Sequence, residues 1–146
     1  MLLAILQLDG SSSRQLIEMI LTGDPQDLVN KGSITEMLAG LEIMRYKEPI
    51  ERQKSYFWEK TGKSIAEVDY LIALKSTIIP IEVKSGTQGG MKSLWMLMRD
   101  KHLKQAVRIS FENFGEFDYI DVEDADAVRH VDIIPLYFIK KLFDLK

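Results

Sequence analysis

Cysteine is absent from the 146 residues. That removes disulfides, thiolate zinc sites and a cysteine nucleophile, and it fits a reducing, cytoplasmic setting. Histidine is nearly as scarce: His102 and His130 are the only two, they share no metal-ligand spacing, and surface or structural roles are expected for both. No apolar run approaches the roughly 20 residues of a membrane span. The opening MLLAILQLDG has neither a basic flank nor a cleavage site and reads as a first strand, so no membrane partner is expected. Ser11, Ser12 and Ser13 lack the G-x-S-x-G elbow of a serine hydrolase. Repeats and low-complexity linkers are missing too.

What remains is a chain with 46% hydrophobic residues, enough for one good core. A single domain over 1–146 is expected, with residues 1–30 as lead-in, 31–111 as core, and 112–146 as an acidic segment followed by a helix. The formal net charge of −3 argues against a nucleic-acid partner, but the charge is uneven. Residues 31–108 carry fourteen Lys or Arg against nine Asp or Glu, whereas residues 112–126 carry seven acids and no base. Arg45, Lys47, Arg52, Lys54, Lys60 and Lys63 alternate with Tyr46, Tyr56, Phe57 and Trp58. Such a strip can follow a phosphate backbone and stack bases, or form a salt-bridged, solvated face with Glu48, Glu51 and Glu59. The acidic segment reads as a surface loop or an edge strand, or as a docking strip for a basic partner.

The chemistry concentrates in Asp69, Glu82 and Lys84. Residues 66–73 (AEVDYLIA) and 78–84 (IIPIEVK) are rich in β-branched and apolar residues, and the polar Lys75-Ser76-Thr77 between them makes a hairpin the economical reading. With Lys75 and Ser76 as the loop, Asp69 faces Glu82 and Glu67 faces Lys84, all on one side of the sheet. Two carboxylates facing each other repel unless something positive lies between them, and a hard cation such as Mg2+ takes this kind of oxygen set. Lys84 projects to the same face and can orient an attacking water. The plainer alternative is a Glu67–Lys84 ion pair on a solvated strand face. Pro80 is the hazard to this geometry, since proline belongs on an edge or at a bulge.

Glu36 is the fourth candidate. Ser33-Ile34-Thr35-Glu36 also has the pattern of a capping box before the apolar run Met37, Leu38, Leu41, Met44, and the two roles are compatible. A helix is expected over about 35–45, then an extended stretch ending in Ser55-Tyr56-Phe57-Trp58, the two strands, a helix over 92–104 with Leu94, Leu97 and Met98 inward, and a strand at 106–111. Residues 134–143 read as a helix with Pro135 in its first turn, packing Leu136, Ile139 and Phe143 inward.

The resulting αβββαβ series, with Asp69 at the motif's Asp, Glu82 and Lys84 at its E-x-K and Glu36 at the helix acid, resembles the restriction-endonuclease-like PD-(D/E)XK core. A narrower resemblance lies in Lys31-Gly32-Ser33-Ile34-Thr35-Glu36, Phe57-Trp58, Glu67-Val68-Asp69, the IPIEVKSG of residues 79–86, and Ile134-Pro135-Leu136. These are similar to a domain of unknown function that follows an AAA-type ATPase module in bacterial and archaeal proteins. The resemblance implies a mixed α/β nuclease-like fold, metal binding (Mg2+ or Mn2+) at Asp69 and Glu82, and a catalytic role for Lys84 supported by Glu36. It also implies two candidate partners, nucleic acid and an AAA-type ATPase module in cis or trans. The ATPase is not in this sequence, so a fragment or a stand-alone remnant is expected. The alternative function is a non-catalytic accessory module for such an ATPase.

One further motif competes. Residues 86–93 (GTQGGMKS) match a phosphate-binding G-x-x-x-x-G-K-[ST] loop except at Met91, where a side chain obstructs the close backbone approach that glycine permits. A lip beside the metal site is the preferred reading.

Overall fold

The computed structural model describes residues 31–46, 56–61, 65–74, 76–86 and 90–144. The expected first strand, and residues 47–55 and 62–64 of the basic strip, lie outside them. The elements are α1 (Lys31–Tyr46), β1 (Tyr56–Lys60), β2 (Ala66–Leu74), β3 (Thr77–Val83), α2 (Lys92–Asp100), β4 (Gln105–Ser110), β5 (Gly115–Asp121), β6 (Ala127–Pro135) and a 3₁₀ helix (Leu136–Asp144) kinked at Phe138, whose backbone is not helical. The first six follow the expected αβββαβ order.

The strands form one mixed sheet in the order β1-β2-β3-β4-β6-β5. β1, β2 and β3 are antiparallel, β4 joins β3 in parallel, β6 joins β4 in parallel, and β5 returns antiparallel along the edge. Each sheet face has its own core. Ile72, Ile79, Ile81, Val83, Val107 and Ile109 pack with Leu38, Ala39 and Ile43 of α1 and with Leu136, Ile139 and Leu142 of the 3₁₀ helix. On the other face Val68, Ala106 and Val131 meet Leu94, Leu97 and Met98 of α2. The alternation of Ala106 and Val107 between the two clusters is the two-residue period of a strand covered on both sides.

Several expectations change here. α1 already includes Lys31, so Ser33 is a helical residue rather than the cap of a box with Glu36. α2 ends at Asp100, because Leu103 N–H returns to the Met98 carbonyl at 2.8 Å and His102 N–H to that of Arg99 at 3.2 Å. His102 takes the left-handed conformation, φ 53°, that closes a Schellman turn. Residues 134 and 135 finish strand β6 instead of opening a helix. Leu142 takes the buried place expected for Phe143. The acidic segment does hold an edge strand, β5, whose Phe117 and Tyr119 lie against Trp95 of α2, edge-on at 6.4 Å and stacked at 4.1 Å.

Behind this strand lies a buried ion network. Arg129, 2% exposed, reaches fully buried Asp121 at 3.0 Å and also pairs with Asp124. Its Nη1 donates to the carbonyls of Met98 and Leu103, which ties β6 to the end of α2. Arg99 completes the set with a 2.7 Å bond to Asp121 and a bond to Glu123.

Candidate functional site

The β2–β3 hairpin has the register expected from the sequence: Leu74 pairs with Thr77, Leu71 with Pro80 and Tyr70 with Ile81. Pro80 causes no break. It pairs with Leu71 in the hairpin, and the pairing of β3 with β4 begins one residue later, at Ile81.

The irregularity is on the other side of β2. Tyr56 pairs with Leu71 and Trp58 with Val68, leaving the single Phe57 across from Asp69 and Tyr70, the two-against-one count of a β-bulge. Val68 and Leu71 consequently both pack towards α2, and Tyr70, Ile72 and Leu74 towards α1. Strict alternation therefore does not assemble the site, as the one-sided reading of Glu67, Asp69, Glu82 and Lys84 assumed. The bulge re-aims β2 at Asp69, and past the Tyr70–Ile81 pair the Val83 N–H goes to Asp69 Oδ2 at 2.7 Å instead of to a β2 carbonyl.

α1 brings the fourth residue. Tyr70 donates its hydroxyl to the Glu36 carbonyl at 3.0 Å, and its ring lies so close to Gly40 that an added Cβ would run into the hydroxyl oxygen and stand 2.9 Å from the ring carbon that bears it. Glycine at position 40 thus lets the helix settle onto β2 with Glu36 beside Asp69.

The result is a cluster of acids around one base. Lys84 Nζ bonds Glu82 Oε1 at 2.5 Å, rather than the Glu67 considered as its partner. Glu82 is 4% exposed, and its Oε2 is buried with no hydrogen-bond partner. Burial is the largest cause raising the Glu36, Asp69 and Glu82 carboxyls above the ordinary carboxylate range. Neighbouring acids raise them further: Asp69 and Glu67 act on Glu36, Glu67 on Asp69, and Asp69 and Glu36 on Glu82. Lys84 pulls all three down, and the Val83 N–H does so for Asp69. Tyr70 is raised as well, by burial and then by Glu36 and Asp69.

All four expected residues therefore meet in one electrostatic cluster, with exposed Glu67 at its rim. The unpartnered buried oxygen of Glu82 lies within electrostatic reach of Asp69 and Glu36, and an orphaned carboxylate oxygen of this kind suits a hard divalent cation. A family model for a domain of unknown function, DUF4143, matches residues 31–134. The chain belongs to the DUF4143 family. No curated protein matches it.

Within this DUF4143 domain two further residues support the cluster. Arg108 stands beside Glu82 in the β3–β4 register and donates Nη2 to the Gly86 carbonyl at 2.7 Å, holding the turn that follows Lys84. Tyr70 fixes α1. The sequence signal for Arg108 was an arginine in a mostly apolar strand, AVRISF; Tyr70 had none.

The competing motifs resolve differently. Met91 is buried among the α2 residues, where a phosphate loop requires glycine. In the basic strip, Lys60 pairs with Asp100 at 3.0 Å and Arg45 with Glu42 at 3.6 Å, while Trp58 packs against the α2 cluster. Tyr56 and Phe57 are exposed. Among the described residues no helix is long and apolar enough to cross a membrane.

Proposed function

We propose that this DUF4143 domain is a divalent-metal-dependent nuclease of the restriction-endonuclease-like, PD-(D/E)XK type, hydrolysing phosphodiester bonds in nucleic acid. The observation that carries the reading is Glu82 Oε2, a buried carboxylate oxygen without a partner next to Asp69. Asp69 and Glu82 are the residues that would hold Mg2+ or Mn2+, with the Val83 carbonyl as a further oxygen. Such an ion, when bound, supplies Lewis acidity to a phosphate oxygen and lowers the pKa of a coordinated water.

The side chains supply the rest. The Lys84 ammonium, 27% exposed and already against Glu82, can turn towards solvent to orient the attacking water and offset charge on the phosphate. Glu36, with its raised affinity for a proton, is suited to accept one at its carboxylate from that water. Asp69 keeps its orientation through the Val83 N–H.

A second reading, an inactive accessory module that binds DNA or a protein partner for an AAA-type ATPase, is favoured by one observation: Lys84 closes directly on Glu82 Oε1, occupying a ligand oxygen. Incubation with single-stranded, duplex and branched DNA, with and without Mg2+ or Mn2+, separates the two. Metal-dependent cleavage lost in both Asp69→Ala and Lys84→Ala supports the nuclease. Binding of DNA or partner without cleavage supports the module.

A further inference from the structure

At the opposite end of the sheet, two rungs of the β5–β6 ladder place Asp118 opposite His130 and Glu116 opposite Asp132. His130 Nδ1 lies 2.9 Å from Asp118 Oδ1, whereas Nε2 faces Asp132 Oδ1 at 3.7 Å and Glu116 Oε2 at 3.9 Å. One donor atom from each of exposed Glu116 and half-buried His130 and Asp132 lies within 4.8 Å of the other two. The Nε2 separations are too long for hydrogen bonds. They approach the spacing of two ligands on one ion: bonds of about 2.0–2.2 Å in tetrahedral geometry set ligand atoms about 3.4 Å apart.

The outer contacts match those of a metal-bound imidazole. Asp118 on Nδ1 fixes the ring with Nε2 turned to the gap, and Gln105 Nε2 donates to Asp132 Oδ2 at 3.0 Å, leaving Oδ1 inward. The frame is rigid, since β6 is paired on both sides and His130 N–H bonds the Lys104 carbonyl at 2.8 Å. Charge points the same way. Glu116 and Asp132 are directly opposed acids, an unfavourable cross-strand pair, and His130 is the only cationic group pairing with Glu116, Asp118 or Asp132 among the described residues.

We propose that Glu116, His130 and Asp132 form a second cation site, selective for zinc-class ions over Mg2+ because one donor is an imidazole, that staples edge strand β5 to β6. It is independent of the Asp69–Glu82 cluster, whose donors are all oxygen. Sequence spacing concealed it, because the ligands converge across a ladder.

His130 and His102 are the only histidines, so ring NMR signals report the site directly. Zn2+ titration is expected to shift the His130 ring in a saturable 1:1 manner and leave His102 in place. His130→Gln should remove one equivalent of bound Zn2+, and Asp118→Asn should weaken binding roughly tenfold, with circular dichroism confirming that both variants fold. Two results overturn the proposal: a His130 ring that titrates with pH but ignores Zn2+, or an unchanged Zn2+ stoichiometry in folded His130→Gln.

Discussion

Asp69 Oδ2 accepts the backbone N–H of Val83 at 2.7 Å, so a side chain of β2 replaces a strand carbonyl where the hairpin ladder ends. One carboxylate thereby terminates the sheet pairing and stands next to Glu82. Fold and site meet at this bond.

Substitution at Asp69 separates the bond from the charge. Asp69→Asn keeps an acceptor for Val83 and removes a carboxylate held above its ordinary pKa by burial. It should be at least as stable as the parent protein in the absence of metal. Asp69→Ala strands the Val83 N–H and should fall about 1–2 kcal/mol below Asp69→Asn in urea unfolding.

The raised carboxyls set a pH dependence. Glu36, Asp69 and Glu82 bind protons more tightly folded than unfolded. Their contribution to stability is therefore full below the ordinary carboxylate pKa and is lost as pH rises through the raised values. Glu36→Gln should match the parent near pH 4 and exceed it at pH 7, by about 0.5 kcal/mol because solvent screens this half-exposed group. Thermal melts across that range measure the difference.

Gly40→Ala should run against helix propensity. Alanine ordinarily gains about 1 kcal/mol over glycine in a helix interior. Here the new methyl meets the Tyr70 hydroxyl, so a net loss of about 1–3 kcal/mol is expected. Gly40→Ala with Tyr70→Phe should recover part of it, as denaturation of the double variant would reveal.

Arg129 is a costly side chain to truncate. Arg129→Ala leaves buried Asp121 with Arg99 as its one remaining cation and removes the guanidinium bonds to the Met98 and Leu103 carbonyls, of which Met98 keeps the Leu103 N–H. A loss of about 3–5 kcal/mol is expected. Arg129→Lys should rescue little, because the donors of an ammonium radiate from one atom and cannot span the separate partners that Nε, Nη1 and Nη2 of the guanidinium reach. Urea midpoints of the two variants test this.

The parts legible in sequence were those written in local pattern. Hairpin register followed from apolar runs around Lys75-Ser76, and α2 from the spacing of Leu94, Leu97 and Met98. Other parts depended on tertiary partners. The early stop of α2 uses histidine where glycine is the usual signal, and β6 was hidden because Arg129 and Asp132 break its apolar run while answering Asp121 and Gln105 from other strands. At the site, the four residues were readable but their means of assembly was not: the bulge at Asp69 arises from pairing with β1, and Tyr70 holds Glu36 through the backbone of another element.

In the proposed nuclease site the unpartnered oxygen of Glu82 serves a divalent cation. Mn2+ titration followed through the backbone amide signals of Val83 and Lys84 tests it most directly, because a paramagnetic ion broadens only nearby resonances. Both amides should broaden at low Mn2+, be restored by excess Mg2+, and stay sharp in Glu82→Gln. Amides that remain sharp in the parent protein at saturating Mn2+, or that broaden equally in Glu82→Gln, would contradict the account.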